Sequence, residues 1–216
     1  MRTENNHRKL AAIMFTDMVG YSALTQRNEA LALQLLTEHQ GLVRPIFLTH
    51  GGREIKTTGD GFLVEFTSAL QAVVCALEIQ KAMVERNSSA APDRRIQLRI
   101  GLHLGDVEVR DGDVFGDGVN IAARIEPLAE AGGICITGPV FDQIRNKIDA
   151  PLERLRRPQL KNIQVAIDVY RVVLPWTQGA SQAVGRWRLG ARVAVIAALG
   201  GGGAVLLVWW LAMRAP

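Results

Sequence analysis

Strand-length apolar runs alternate with longer segments of helical spacing through the first 173 residues, and this alternation limits the fold more than any other feature. Residues 10–16 form an apolar run that predicts a strand, and the leucines of residues 21–47 recur at the spacing of a helix. Residues 53–56 and 62–66 predict two short strands. The Gly-Asp-Gly sequence between them predicts a hairpin turn, because glycine adopts positive φ angles without steric cost.

The same alternation continues through the second half of this region. Residues 96–104 predict a strand, because Ile96, Leu98, Ile100 and Leu102 fall on one face. The other predicted elements are helices over 68–86 and 119–131 and strands over 133–137 and 166–173. The order is βαββαβ, followed by further helices and strands. It predicts an α+β sandwich in which helices pack on one sheet.

The distribution of charge argues against a nucleic-acid-binding protein. The net charge of the chain is +4, and the four arginines after residue 173 account for all of it, since no acidic residue lies there. The first 173 residues are therefore balanced in charge. A protein that binds the phosphate backbone needs a basic surface, so we expect no nucleic-acid partner.

A change in composition near residue 174 divides the chain. Residues 174–192 contain Pro, Gly, Ser and Gln, which predicts a linker, and residues 193–213 contain no charged residue. That uncharged length matches the roughly 20 residues of a membrane-spanning helix. We predict an N-terminal tail over 1–9, a folded domain over 10–173, a juxtamembrane linker over 174–192 and a C-terminal transmembrane helix over 193–213.

The arginines around this predicted helix indicate its orientation. Arg186, Arg188 and Arg192 precede it, and Arg214 alone follows it. Because basic residues accumulate on the cytoplasmic side, we expect a single-pass membrane protein with a cytoplasmic N-terminal domain. The glycines at 200–203 are compatible with close helix packing in the membrane or with plain tolerance of glycine there.

Two aspartates are placed to meet at one edge of the predicted sheet. Asp17 ends the first strand, and Asp60 lies in the hairpin turn. A strand and the hairpin after its crossover helix are commonly neighbours, so the two carboxylates could bind Mg²⁺ together. Each aspartate alone also fits a capping or turn role. Gly20 begins the next helix, where backbone N–H groups suit a phosphate.

The helix over 119–131 carries a polar pair at the border of its apolar stripe. Asn120 and Arg124 are one turn apart and share a face, next to Ile121, Ile125 and Leu128. The guanidinium fork of an arginine suits a phosphate. From spacing alone, a solvated arginine and a helix-start asparagine explain the pair equally well.

Five segments in order, FTDMVGYS, EIKTTGDGF, GLHLGDV, DVFGDGVNIAAR and LKNI, resemble the catalytic domain of class III nucleotidyl cyclases, the adenylate and guanylate cyclase family. The resemblance covers about residues 9–173. It implies a ferredoxin-like α+β fold and a head-to-tail homodimer with shared active sites. It also implies conversion of a nucleoside triphosphate into a 3′,5′-cyclic monophosphate and pyrophosphate.

The resemblance also implies a role for each matching residue. Asp17 and Asp60 would bind two Mg²⁺ or Mn²⁺ ions. The base would contact Lys56 and Asp113 of the partner chain. The remaining substrate contacts would be Asn120 on the ribose, Arg124 on the α-phosphate and Lys161 on the terminal phosphates.

The base contacts favour ATP as the substrate. Lys56 can donate only and an ionised Asp113 can accept only, which suits N1 and the 6-amino group of adenine. Hydrogen-bond type alone does not exclude guanine. Guanylate cyclases typically carry Glu at the lysine position, so the resemblance favours an adenylate cyclase. The alternatives are a guanylate cyclase of this fold and a catalytically silent nucleotide-binding regulatory module.

Overall fold

The computed structural model describes residues 7–155 and 166–176, which form a mixed sheet covered by helices. The strands are β1 (His7–Met18), β2 (Arg53–Thr58), β3 (Gly61–Phe66), β4 (Leu98–Arg110), β5 (Asp113–Phe115), β6 (Ile134–Thr137), β7 (Leu152–Arg154) and β8 (Val169–Val172). The helices are α1 (Tyr21–Arg27), α2 (Glu29–Thr49), α3 (Ala69–Asn87), α4 (Asp117–Ile125) and α5 (Gly138–Ile144). Short 3₁₀ turns cover Pro92–Arg94 and Glu126–Leu128.

The sheet confirms the predicted α+β class. Its strand order is β2-β3-β1-β4-β6-β8-β7, and β5 pairs with the far end of β4. The pairing of β4 with β6 is parallel, and the other pairings are antiparallel. The long central strand β1 lies between β3 and β4, so the end of β1 is close to the turn that joins β2 and β3.

Helices lie on both faces of this sheet. On one face, Phe62 of β3 packs edge-on against Phe47 of α2, with ring centroids 5.3 Å apart. On the other face, Leu63 of β3 and Ile13 of β1 share a buried apolar cluster with Ala122 of α4. Successive strand residues point to opposite faces, which is why Phe62 and Leu63 enter different layers. Val114 of β5 belongs to the same cluster.

The predicted single helix over 21–47 is wrong, because the chain breaks it at Asn28. This residue has φ −155° and ψ 87°, and its side chain accepts a hydrogen bond from the backbone N–H of Leu31 at 3.1 Å. Asparagine is a favoured N-cap because its side-chain oxygen replaces a missing helical acceptor. The segment is therefore the short helix α1 followed by the longer helix α2.

The predicted helix over 119–131 is shorter than expected. The helix α4 ends at Ile125, and Pro127 lies in the 3₁₀ turn that follows. Proline has no backbone N–H, so it cannot continue the helical hydrogen bonds. The turn packs directly on β4: a Cβ on Gly101 would lie 2.3 Å from the backbone nitrogen of Glu126.

Several predictions concern residues that the structure does not describe. Lys161, most of the predicted linker and the whole of 193–213 lie outside 7–155 and 166–176. Within those two ranges, no helix is both long and apolar enough to cross a membrane. The residues up to Leu174 form one compact unit. Its first strand begins at His7, inside the segment predicted as a tail.

Candidate active site

The end of β1 and the β2–β3 turn bring Asp17 and Asp60 together. The Asp60 carboxylate accepts a hydrogen bond at 3.0 Å from the backbone N–H of Met18, the residue after Asp17. The turn lies directly against β1, since a Cβ on Gly61 would approach the carbonyl oxygen of Thr16 to 1.7 Å. A side chain at position 61 would push the two aspartates apart, which explains the glycine after Asp60.

The electrostatics of Asp60 show that the two carboxylates influence each other. Burial raises the pKa of Asp60, and the negative charge of Asp17 raises it further. Hydrogen bonds from backbone groups and the charge of Arg99 act in the opposite direction. A cation between the two aspartates would remove their repulsion.

Arg99 and Glu126 extend this acidic site, and neither was predicted from the sequence. Arg99 Nη2 lies 2.5 Å from Asp17 Oδ2, and Arg99 Nε lies 3.0 Å from Glu126 Oε1. Burial raises the pKa of Glu126 to about 7, and the charge of Asp17 contributes to the same shift. Arg99 meets Asp17 through the cross-strand register of β1 and β4, which the sequence does not reveal.

The donors at this site fit a hard divalent cation. Mg²⁺ accepts oxygen ligands, takes few of them from the protein and completes its shell with water and phosphate. Asp17 and Asp60 supply carboxylate oxygens, and burial followed by the charge of Asp17 raises the pKa of Asp60. Among the residues described, no group of three or more His, Cys, Asp or Glu side chains could hold a metal by itself. The aspartate pair would therefore need the substrate phosphates as additional ligands.

Gly20 lies at the junction between β1 and α1, where the chain needs a left-handed conformation. Its φ is 77°, and it precedes the first turn of α1 without a side-chain cap. Glycine adopts this φ without the steric cost of a Cβ. Gly20 is only three residues after Asp17, so the junction follows the acidic site directly in the sequence.

The predicted base contacts form an ion pair within one chain. Lys56 Nζ of β2 lies 2.6 Å from Asp113 Oδ2 of β5. Partial burial would raise the pKa of Asp113, but hydrogen bonds from Lys56 and the Val114 N–H outweigh burial and lower it. The half-exposed ring of Phe115 lies beside the pair, with its centroid 5.8 Å from Lys56 Nζ.

Asn120 and Arg124 are exposed on one side of α4. The opposite side of the helix buries Gly118, Ala122 and Ile125. Of the predicted apolar stripe, Ile125 is buried, whereas Ile121 and Leu128 are only partly buried beside it. Both polar side chains project to solvent, and none of the hydrogen bonds or ion pairs among the residues described uses either side chain. They are thus available to contact a ligand.

The site residues fall into two groups in a single chain. The pKa of Asp60 responds to Asp17 and Arg99, whereas the pKa of Asp113 responds to Lys56 and Arg53. Within one chain, Asp17 and Asp60 thus form one pair of interacting groups, and Lys56 and Asp113 form another.

Comparison with known proteins identifies relatives of this arrangement. Residues 4–168 match the family model described as the adenylate and guanylate cyclase catalytic domain. The chain is 42% identical over 171 residues to a putative adenylate cyclase 3 of Rhizobium meliloti, covering 79% of this chain and 29% of the relative. It is 31% identical over 141 residues to an adenylate cyclase of Streptomyces coelicolor, covering 65% of this chain and 35% of the relative. The chain thus spans about a third or less of these relatives.

Solved structures share the fold. The crystal structure of an adenylate/guanylate cyclase/hydrolase from Silicibacter pomeroyi is 42% identical in sequence and has a TM-score of 0.74. The match covers 78% of this chain and 99% of the chain in that structure. The crystal structure of the adenylyl cyclase CyaB from P. aeruginosa is 24% identical and has a TM-score of 0.67. That match covers 78% of this chain and 96% of the chain in the solved structure. At the lower identity, the likeness concerns the fold alone.

Proposed function

Because the chain belongs to the class III adenylate and guanylate cyclase family, we propose that it converts ATP into 3′,5′-cyclic AMP and pyrophosphate. The observation that carries this proposal is the ion pair of Lys56 with Asp113 at 2.6 Å. It places a group that only donates beside a group that only accepts. Adenine offers the matching pattern on one edge, with an acceptor at N1 and a donor at its 6-amino group.

We propose a homodimer in which each active site uses both chains. The acidic group of one chain would meet the base contacts and the α4 side chains of the other. This assignment is supported by the exposure of Asn120 and Arg124, whose side chains are available to a second copy of the chain. A head-to-tail arrangement of two copies gives two equivalent sites.

Asp17 and Asp60 would hold two divalent cations, Mg²⁺ or Mn²⁺. When bound, such ions supply positive charge that favours ionisation of the ribose 3′-hydroxyl and neutralises the phosphate oxygens. The two carboxylates supply the negative charge that binds them. The backbone at Gly20 and the side chain of Lys161 are proposed to contact the phosphates.

The protein side chains then position the substrate for an in-line displacement. Lys56 donates to adenine N1 and Asp113 accepts from the 6-amino group, while Asn120 orients the ribose. The ribose 3′-oxygen forms a bond to the α-phosphorus as the bond to the pyrophosphate oxygen breaks. Arg124 stabilises the negative charge that grows on the α-phosphate. Positioning and charge stabilisation therefore provide the catalysis.

The test is the identity of the product formed by the full chain, purified in mild detergent and supplied with ATP and Mn²⁺. We expect cyclic AMP and pyrophosphate in equal amounts by chromatography. Arg124→Ala is expected to stop the reaction. The control is Arg145→Ala, which removes an exposed arginine that lies over the Phe141 ring. Formation of ADP or AMP without a cyclic product would contradict the proposal.

A further inference from the structure

A charged network outside the proposed substrate contacts connects β3, β2 and the β4–β5 turn. Its centre is Glu65 of β3, a carboxylate that is only 3% exposed. Lys9 of β1 and Arg53 of β2 both form ion pairs with it. A buried carboxylate is costly unless it is paired, so this residue requires its two cations.

The carboxylate of Glu65 is ionised in this network. Burial alone would raise the pKa of Glu65, but the hydrogen bonds and charges of Lys9 and Arg53 lower it more. Arg53 contacts a single oxygen of Glu65, with Nε at 3.0 Å and Nη2 at 2.5 Å. Two nitrogens of the guanidinium are thereby fixed in place, so its third nitrogen has a defined direction.

That third nitrogen reaches the turn between β4 and β5. Arg53 Nη1 donates a hydrogen bond at 2.9 Å to the carbonyl oxygen of Gly112. Asp111 and Gly112 both have positive φ, 49° and 83°, as a two-residue hairpin turn requires. The next residue is Asp113, the proposed acceptor for the adenine amino group. Arg53 therefore holds the turn that carries one base contact.

The other base contact follows Arg53 on the same strand. Arg53 pairs with Glu65 and Lys56 pairs with Leu63, and the register shifts between Glu54 and Lys56. Residues three apart on a regular strand point to opposite faces. The bulge adds one residue, so Arg53 and Lys56 point to the same face of the sheet as Glu65 and Leu63. Arg53 is thus linked to Asp113 through the carbonyl of Gly112 and to Lys56 through the backbone of β2.

We infer that Arg53, anchored by Glu65, is a positioning residue that sets the spacing of Lys56 and Asp113 and thereby the preference for ATP over GTP. This inference rests on the proposed function. Arg53 touches neither the base nor the acidic group of Asp17 and Asp60. Its loss should disturb recognition of the base while the displacement at phosphorus continues.

The main variant is Arg53→Lys, made in the full chain. A lysine can keep the ion pair with Glu65, but its single nitrogen cannot also hold the carbonyl of Gly112 as the guanidinium fork does. We expect KM for ATP to rise about tenfold and kcat to change less than about twofold. A misplacement of about 1 Å can cost about a hundredfold, so a tenfold effect is a moderate expectation. The ATP-to-GTP ratio of kcat/KM should fall by a similar factor.

The matched control is Arg44→Lys. Arg44 of α2 also forms a two-nitrogen ion pair with a carboxylate next to this hairpin, Glu54 of β2, at 2.9 and 3.1 Å. Glu54 and Arg53 point to opposite faces of the sheet, so the Arg44–Glu54 pair lies on the face away from Gly112. The side chain of Arg44 is 44% exposed, and that of Arg53 is 46% exposed. We expect Arg44→Lys to leave KM and the ATP-to-GTP ratio unchanged.

A second measurement tests the network without any turnover. Amide hydrogen exchange of residues 110–115 should be about tenfold faster in Arg53→Lys than in wild type and unchanged in Arg44→Lys. If wild type forms no cyclic nucleotide, the proposed function fails while this measurement still decides whether Arg53 holds the turn. Unchanged exchange in Arg53→Lys would show that Arg53 does not hold the β4–β5 turn, which overturns the inference. Faster exchange with an unchanged ATP-to-GTP ratio in an active enzyme would overturn the positioning role.

Discussion

The Asp60 carboxylate accepts a hydrogen bond from the backbone N–H of Met18, 42 residues earlier in the chain. This contact fixes the β2–β3 turn against the end of β1. Because Asp17 precedes Met18, the bond also sets the separation of the two carboxylates. The acidic site is therefore built from backbone geometry as much as from side chains.

The first prediction concerns this carboxylate pair. Asp17→Ala and Asp60→Asn should each lower cyclic-nucleotide formation by about a hundredfold or more, because divalent cations supply several kcal/mol of charge stabilisation. Asp60→Asn keeps the oxygen that accepts from Met18, so its fold and melting temperature should remain close to wild type. Asp93→Ala, at an exposed position outside the site, is the control. Near-wild-type turnover in both site variants would refute the metal assignment.

The second prediction concerns the shared site. Asp17→Ala and Arg124→Ala should each be inactive alone, since each homodimer lacks one group at both sites. Mixing the two chains should recover activity, because a mixed dimer has one intact site. Random pairing would give about a quarter of wild-type activity. If mixed dimers form, as shown by affinity tags on each chain, and no activity returns, the shared-site arrangement is wrong.

The third prediction concerns stability against pH. His39 of α2 is 1% exposed, and no residue described forms a hydrogen bond with its ring nitrogens. Burial, assisted by the charge of Arg44, lowers the pKa of His39 from 6.5 to about 4. The unfolded chain therefore binds this proton more tightly. The contribution of the neutral His39 to the free energy of unfolding is fully present above about pH 6.5. It is lost as the pH falls toward 4, by about 1.4 kcal/mol per pH unit.

The measurement is denaturant unfolding of residues 1–174 at several pH values. His103 is also buried, and burial lowers its pKa to about 4 as well, so wild type should lose stability through both histidines. His39→Leu removes one of them. We expect this variant to show a pH slope between 6 and 4.5 that is smaller by about one proton. An identical slope in wild type and variant would contradict the role assigned to His39.

The fourth prediction concerns the membrane. We propose that residues 193–213, which contain no charged residue, hold the chain in the membrane with its catalytic domain in the cytoplasm. The full chain should stay with the membrane fraction after an alkaline wash, whereas a version that ends at residue 173 should appear in the supernatant. Recovery of the full chain as a soluble monomer would contradict this proposal.

The sequence predicted β1, β2, β3, β4, β6 and β8 and the closeness of Asp17 and Asp60 because their signals are local, whereas the three-residue strands β5 and β7 were not predicted. The alternation in β4 and the glycines beside Asp60 can be recognised within a few residues. Asn28 was missed because the leucine spacing continues through it, although its side chain caps a new helix. Arg99 was missed because it meets Asp17 only across a strand pairing that joins residues 82 positions apart.

The position of Lys56 on the same face as Arg53 was also beyond the sequence. It depends on the bulge in β2, which changes the face to which Lys56 points. Strand patterns assume a regular alternation, so a single added residue reverses the expected side. Only the structure shows that Arg53 reaches Gly112.

The most direct test of the account is the ratio of kcat/KM for ATP to that for GTP, measured with Mn²⁺ for wild type and for Lys56→Glu. The account predicts that wild type prefers ATP. It also predicts that Lys56→Glu lowers the ratio by roughly a hundredfold, because a carboxylate at this position cannot donate to adenine N1 and can accept from guanine N1. A wild type that prefers GTP, or an unchanged ratio in Lys56→Glu, would contradict the assignment of Lys56 to the base.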